Sequence, residues 1–239
     1  ESYYHDKPRE RKKLSQEKEF RQIKNAVIQE AERIRLGEIS FEDDGISQTD
    51  EPEHVRNESQ ACRELWQIIG NEDISLDYRD RAAEKLEQVA ERGDAHAQYR
   101  MGQLYRDGPL LIPDNRKAKH WLTQAAKQGL PEAQYALGKL LLSDDWEVRD
   151  PDEGIRWLKQ AAENGSQLAA YRLGKEYLSG EVVSKSVTKA ADWFAKSAEA
   201  GNQYAQYMLG KLCLTGQGLP RDQAQAMVWF SRSAVQGNR

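Results

Sequence analysis

From residue 94 onward the apolar positions recur in two helical phases. Ala97, Met101, Leu104 and Tyr105 return at helical spacing and predict the inner face of a first helix, about three and a half turns long. Gly108 stops it, and a connector from Pro109 to Pro113 leads to Asp114, whose side-chain oxygen can cap a new helix start. The second helix carries Ala118, Trp121, Leu122, Ala125 and Ala126 on one face. It ends at Gly129, a residue able to take the left-handed conformation that closes a helix.

The same marks return with a fixed step. Gly102, Gly138, Gly174 and Gly210 stand 36 residues apart, and so do Trp121, Trp157, Trp193 and Trp229. Tyr99, Tyr135, Tyr171 and Tyr207 keep the step, as do the helix-ending Gly129, Gly165, Gly201 and Gly237. The cap position reads Asp114, Asp150, Ser186 and Asp222. A period of about 20 to 50 residues marks a solenoid, in which each unit buries its apolar face only against its neighbours. Residues 94–239 therefore divide into four repeats, 94–129, 130–165, 166–201 and 202–237. The glycine row lies mid-helix, where Gly costs about 1 kcal/mol relative to Ala. We expect the indole of Trp121 to pack on the bare backbone at Gly102, and its equivalents likewise, which makes both rows architectural.

The first repeat reads Ala97-Gln98-Tyr99, Gly102 and Tyr105, then Lys117-Ala118, Trp121, Ala125-Ala126 and Gly129. This pattern resembles the Sel1-like repeat, a relative of the tetratricopeptide repeat with a longer connector, and the match covers residues 94–237. The resemblance implies an all-α fold: a right-handed α-solenoid of stacked helix hairpins, with no catalysis in the repeats themselves. Repeat two departs from the pattern. Ser143-Asp144-Asp145-Trp146 replaces the glycine-rich connector and Gly154 replaces the alanine, so that loop should differ in shape.

One period upstream, Arg81-Ala82-Ala83-Glu84-Lys85-Leu86, Val89-Ala90 and Gly93 keep the register of a second helix, with Lys85 in the place of Trp. The first helix of that unit is predicted over Ala61 to Ile69, with Trp66 where Gly102 stands later. Residues 60–93 thus read as a degenerate capping repeat. Further back, Phe20, Ile23, Val27, Ala31 and Ile34 predict an amphipathic helix from Leu14 to Leu36 within a charged segment, 1–36. Its basic side includes Arg11, Lys12, Lys13, Lys18, Arg21 and Lys24, although mixed charge favours a solvated face.

The run from Arg11-Lys12-Lys13-Leu14 to Ala26-Val27, the run Glu30-Ala31-Glu32-Arg33-Ile34-Arg35-Leu36-Gly37-Glu38, and Gly108-Pro109-Leu110-Leu111-Ile112-Pro113-Asp114 carry a second resemblance. They are similar to the region after the nuclease domain in relaxases of mobile elements from gut Firmicutes, proteins that nick and carry a DNA strand during conjugation. This implies an accessory C-terminal module, since no His-rich metal triad or catalytic Tyr motif of that family is visible in the chain.

Charge refines the division. Residues 1–36 carry 10 Lys/Arg against 7 Asp/Glu, residues 37–59 carry 1 against 8, and the remainder balances at 24 against 24. The middle segment is an acidic linker, and the array lacks the marked basicity usual in a DNA-binding domain. Cys62 and Cys213 lie far apart in the array and read as buried thiols of a reducing compartment. No apolar run suits a membrane span and no signal peptide is visible, so a cytoplasmic location is expected. The chain begins Glu1-Ser2-Tyr3-Tyr4 and stops just past a helix end, as a piece of a longer polypeptide would.

Chemistry finds little support. His5, His54, His96 and His120 lack metal-ligand spacing, and neither cysteine has a histidine nearby in sequence. Gly216-Gln217-Gly218 lies in a helix connector without the strand that a dinucleotide site needs. We expect no enzyme, no metal and no cofactor.

Binding remains. On the first helix, positions 99, 103 and 106 point away from the core direction of 97, 101 and 105, given about 100° per residue. In tetratricopeptide-like solenoids that side lines the concave groove. It collects Tyr99, Tyr135, Tyr171 and Tyr207, flanked by Gln103, Lys139, Lys175 and Lys211, with Arg106 and Arg172 nearby. Such a ladder can clamp an extended acidic peptide, the rings giving area and the ammonium groups seeking carboxylates. Tyr is ordinary at this place in Sel1-like repeats, so packing has slightly the larger claim on it. The sequence therefore points to a protein-interaction scaffold with a protein or peptide partner. The alternative is a nucleic-acid-associated accessory module of a relaxase used in conjugative transfer.

Overall fold

A computed structural model of the chain describes residues 60–108 and 110–237. The helix expected over 14–36 and the acidic linker lie outside the described residues. Ten α-helices make up the regular structure of the described part, and the architecture is an all-α solenoid of helix hairpins. Along the described residues the chain divides into two compact units between Ser184 and Lys185. The first contains α1 (Gln60–Gly70), α2 (Leu76–Glu91), α3 (Ala95–Asp107), α4 (Asn115–Lys127), α5 (Pro131–Leu141), α6 (Pro151–Glu163) and α7 (Gln167–Ser179). Within this unit the helices pack chiefly against their neighbours in chain order, as a stacked array requires. The second unit contains α8 (Val187–Glu199), α9 (Gln203–Thr215) and α10 (Gln223–Val235), again packed in chain order.

Helix starts follow from short polar side chains. Asp94, Asp114, Asp150 and Ser166 in the first unit each accept the backbone N–H three residues on. Ser186, Asn202 and Asp222 do so in the second. Helices α2 and α5 depart from this: Ser75 makes no side-chain cap hydrogen bond, and Leu130 has no side-chain acceptor, Pro131 opening α5 with its φ already set. The ends are equally local. Gly129, Gly165, Gly201 and Gly237 have φ between 90° and 103°, the left-handed region expected of them.

The glycine row makes room, but not for tryptophan. A Cβ at Gly102 would lie 2.6 Å from Cγ of Leu122, one at Gly138 2.8 Å from Cγ of Leu158, and one at Gly210 2.8 Å from Cε1 of Phe230. In each case the close partner is the residue after the tryptophan. One residue on a helix is a turn of about 100°, so Leu122 faces α3 while Trp121 is aimed elsewhere. Trp121 joins the core of the preceding hairpins, with Cys62, Leu86, Ala97 and Met101. Burial along the row is uneven: Trp121 and Trp229 are buried, whereas Trp157 and Trp193 are only half-buried. Trp157 donates its indole N–H to Oε1 of Glu153 at 3.2 Å, and Lys196 Nζ lies 4.4 Å from the Trp193 ring centre.

Repeat two has its own connector, as its sequence suggested. Where α7 and α9 end in left-handed Gly180 and Gly216, α5 ends in a right-handed Leu142. Asp145 then organises the loop: its side chain accepts the Glu147 N–H at 3.0 Å and its carbonyl the N–H groups of Val148 and Arg149. The Asn115 amide donates to the same carboxylate at 2.6 Å, and this hydrogen bond, the largest cause, holds the Asp145 carboxyl below its usual range. Cys62 and Cys213 are both buried and free of disulfides.

Candidate binding face on the first helices

The face expected from the sequence lies on α3, α5 and α7 in the first unit and on α9 in the second. Tyr99 is half-buried against the core cluster around Leu122 and Leu137, with Trp157 packed on the same cluster. Its hydroxyl accepts from Nε2 of Gln103 at 2.9 Å, and Oε1 of Gln103 accepts from the Arg100 guanidinium at 3.2 Å. That guanidinium lies 4.7 Å from the ring centre of Trp66 and 5.7 Å from that of Tyr99, within cation–π range. Burial is the main cause that pushes the Tyr99 phenol above its ordinary pKa. Arg100 acts against it and Glu132 with it, while Arg106 and Tyr135 exert smaller fields. Tyr99, Arg106, Glu132 and Tyr135 are thus electrostatic neighbours on adjoining repeats.

The cations of this face divide into two kinds. Arg106 is held by the adjacent Asp107, and Arg172 Nε lies 2.7 Å from Oε1 of Glu176, a carboxylate that is itself buried. Both arginines are half-buried and committed within their own helices. Lys139 and Lys175 are exposed, and among the described residues no ion pair is seen for either. In the second unit Lys211 is exposed as well, and Tyr207 is half-buried with its ring 5.7 Å from Phe230, the residue that fills the space at Gly210. The tyrosines are therefore partly covered by the array, while the lysines are exposed. Tyr135 and Tyr171 share the half-buried state of Tyr99.

The row beside the tyrosines was missed. Gln98, Gln134 and Gln206 are buried, and each donates its amide to the last turn of the preceding helix, at Ala90, Ala126 and Ala198. Each also accepts from the C-cap side chain thirty positions on, Gln128, Asn164 or Gln236, at 2.8–3.0 Å. The pairs tie one hairpin to the next, since a buried amide must find partners. A signal was present: these glutamines keep the 36-residue step, and the third repeat carries alanine at both members of the pair, Ala170 and Ala200.

Comparison with known proteins fits this geometry. The Sel1 repeat family matches at 95–130, 131–166, 167–202 and 203–238, more than half of the chain. MobL relaxases match residues 1–81, which reaches through α1 into α2. A Sel1 repeat protein from Oxalobacter formigenes is 35% identical with a TM-score of 0.60, covering 66% of this chain and 46% of its own. The protein c5321, a protective antigen of uropathogenic Escherichia coli strains displaying an SLR fold, is 30% identical with a TM-score of 0.65, covering 74% and 37%. The chain thus spans under half the length of each of these solved relatives. No curated protein sequence matches it. Among the described residues no helix is long and apolar enough to cross a membrane, and no cluster of three or more His, Cys, Asp or Glu side chains is placed to hold a metal ion.

Proposed function

The chain belongs to the Sel1 repeat family, and on that footing we propose that it is a non-catalytic protein-interaction scaffold, a module of a larger protein that binds an acidic peptide or protein segment along its first helices. The observation that carries the reading is the repeated pairing of a half-buried tyrosine with an exposed lysine four residues on: Tyr135 with Lys139 and Tyr171 with Lys175 in one unit, Tyr207 with Lys211 in the other. The rings are half-buried by packing, so they offer apolar surface at little ordering cost, and the lysines are exposed with no ion pair seen among the described residues. Gln103 takes the lysine position in the first repeat and is engaged by Tyr99 and Arg100, so the charged part of the face begins at α5.

The match of residues 1–81 to MobL relaxases supports a setting for the module in a mobilisation protein of conjugative transfer. In that setting the scaffold would bring a protein partner to the enzyme that handles the strand. It also favours a second reading, in which the lysines meet nucleic-acid phosphates. The balance of 24 basic against 24 acidic residues from position 60 onward argues for the first. Fluorescence polarisation separates them, with a labelled synthetic peptide of alternating glutamate and phenylalanine and a labelled single-stranded oligonucleotide as probes. The scaffold reading expects binding of the peptide at low ionic strength, weakening as salt screens the lysines. Binding of the oligonucleotide alone, with a steep salt dependence, would replace it with the second reading.

A further inference from the structure

We infer that the connectors ahead of α4 and α6 form a second docking rim, centred on Ile112 and Trp146, for a basic protein segment in which arginine or lysine alternates with aliphatic side chains. The inference goes beyond the Tyr-Lys face and does not depend on it. Trp146 is 81% exposed and Ile112 88%, the two most exposed large apolar side chains among the described residues. Packing does not account for the indole. One repeat earlier, Leu110 stands at the same step and packs against the core around Leu86 and Met101, whereas Trp146 is turned out to solvent.

The two connectors are joined. Ile112 precedes Asn115 by three residues and Trp146 directly follows Asp145, and the Asn115 amide donates to the Asp145 carboxylate at 2.6 Å. Arg116 adds an ion pair with Glu147 at 3.0 Å. The Trp146 connector is also braced from within. Arg149 donates to the Ser143 carbonyl at 3.0 Å, the Asp150 N–H donates to the Leu141 carbonyl at 3.0 Å, and Val148 is buried. An indole carried on a braced loop loses little freedom when a partner covers it, so contact there is turned efficiently into affinity.

Charge selects the occupant. From Ser143 to Asp150 the connector carries Asp144, Asp145, Glu147 and Asp150 against Arg149, and Arg116 offsets one acid more. The Asp144 side chain is fully exposed even while it lies 3.3 Å from Arg149. A cation settling on the Trp146 ring meets the negative face of the π-system with carboxylates beside it, and the aliphatic neighbours of that cation find Ile112. The same excess of acid repels nucleic-acid phosphates and anionic lipid, so neither suits this rim.

The test uses the complete chain labelled with fluorotryptophan, the Trp146 fluorine resonance being assigned by its loss in Trp146→Phe. Titration with a synthetic peptide of alternating arginine and leucine should shift that resonance and leave those of the buried Trp121 and Trp229 in place. Polarisation with the same peptide, fluorescently labelled, should show affinity lowered at least about tenfold by Trp146→Ser and about threefold by Asp144→Lys. Both variants should keep Tm within about 3 °C of the parent, because both side chains are exposed. A Trp146 resonance unmoved at millimolar peptide, or parent affinity retained in the folded Trp146→Ser variant, overturns the inference. So does a shift produced by a single-stranded oligonucleotide, or by protein concentration alone, in place of the peptide, which would assign the rim to nucleic acid or to a second copy of the chain.

Discussion

Substituting Gly138 by alanine tests the packing logic of the array in a way that fixes even the sign of the effect. In an open helix the change gains about 1 kcal/mol, because glycine loses more backbone freedom on folding. At this position the new Cβ would lie 2.8 Å from Cγ and 2.9 Å from Cδ2 of Leu158, and 3.0 Å from the carbonyl oxygen of Gly154. Carbon atoms rest at about 3.5–4.0 Å, so the obstacles must retreat by most of an ångström. Neither can do so alone. Leu158 is fully buried and meets the new carbon at its branch point, and Gly154 meets it with backbone, so α5 and α6 must separate. Overpacking costs about 1–3 kcal/mol, and two rigid obstacles place this case at the upper end. Less the propensity gain, Gly138→Ala should destabilise by about 2 kcal/mol and lower Tm by about 4–8 °C.

Urea denaturation followed by circular dichroism measures this, and a double-mutant cycle with Leu158→Ala identifies the cause. Leu158→Ala alone should cost about 2–5 kcal/mol through its cavity. With space opened, the added methyl is accommodated, so the combined loss should fall short of the sum by about 1 kcal/mol or more. A Gly138→Ala variant more stable than the parent would refute the close-approach account. So would losses that add to within about 0.5 kcal/mol.

Two further outcomes follow from burial. Trp121 is 8% exposed and Trp157 is half-buried, so Trp121→Ala should cost about 3–5 kcal/mol and Trp157→Ala about half as much, read from the same urea transitions. Both thiols should resist alkylation by iodoacetamide in the folded chain. Cys62 is fully buried, and burial, aided by Asp222, pushes the Cys213 thiol above its ordinary pKa. At any pH between 7 and 9 Cys213 should then label far more slowly than a free thiol titrating near 8.5, and denaturant should abolish the difference.

What the sequence showed and what it withheld divide along a physical line. Caps, helix ends and the repeat step were legible because each is decided within a few residues: Asp114 needs only the N–H of Lys117, and Gly129 only its own φ. Contacts between helices were less so. The step placed Gly102 and Trp121 in register but carried no azimuth, and the residue that fills the space proved to be Leu122. Burial of the tryptophans also varied where the step did not: Trp121 is buried in the core it shares with Cys62 and Leu86, whereas Trp157 is half-buried against the cluster around Leu122 and Leu137. On the candidate face the aromatic row is half-buried. Arg106 and Arg172 are taken up by Asp107 and Glu176, partners that lie one and four residues away and were open to reading from helical spacing. The glutamine row needed more: its worth shows only when the carbonyl of the preceding helix and a side chain thirty positions on come together.

Reversing the lysine row tests the binding account most directly. Calorimetric titration of the glutamate-phenylalanine peptide into the Lys139→Glu, Lys175→Glu, Lys211→Glu variant should show affinity lost by at least about tenfold against the parent chain, since like charges then face the ligand. Tm should stay within about 5 °C, because all three side chains are exposed and surface changes cost about 0.5 kcal/mol or less each. Unchanged peptide affinity in a folded variant would contradict the claim that these first helices bind an acidic partner.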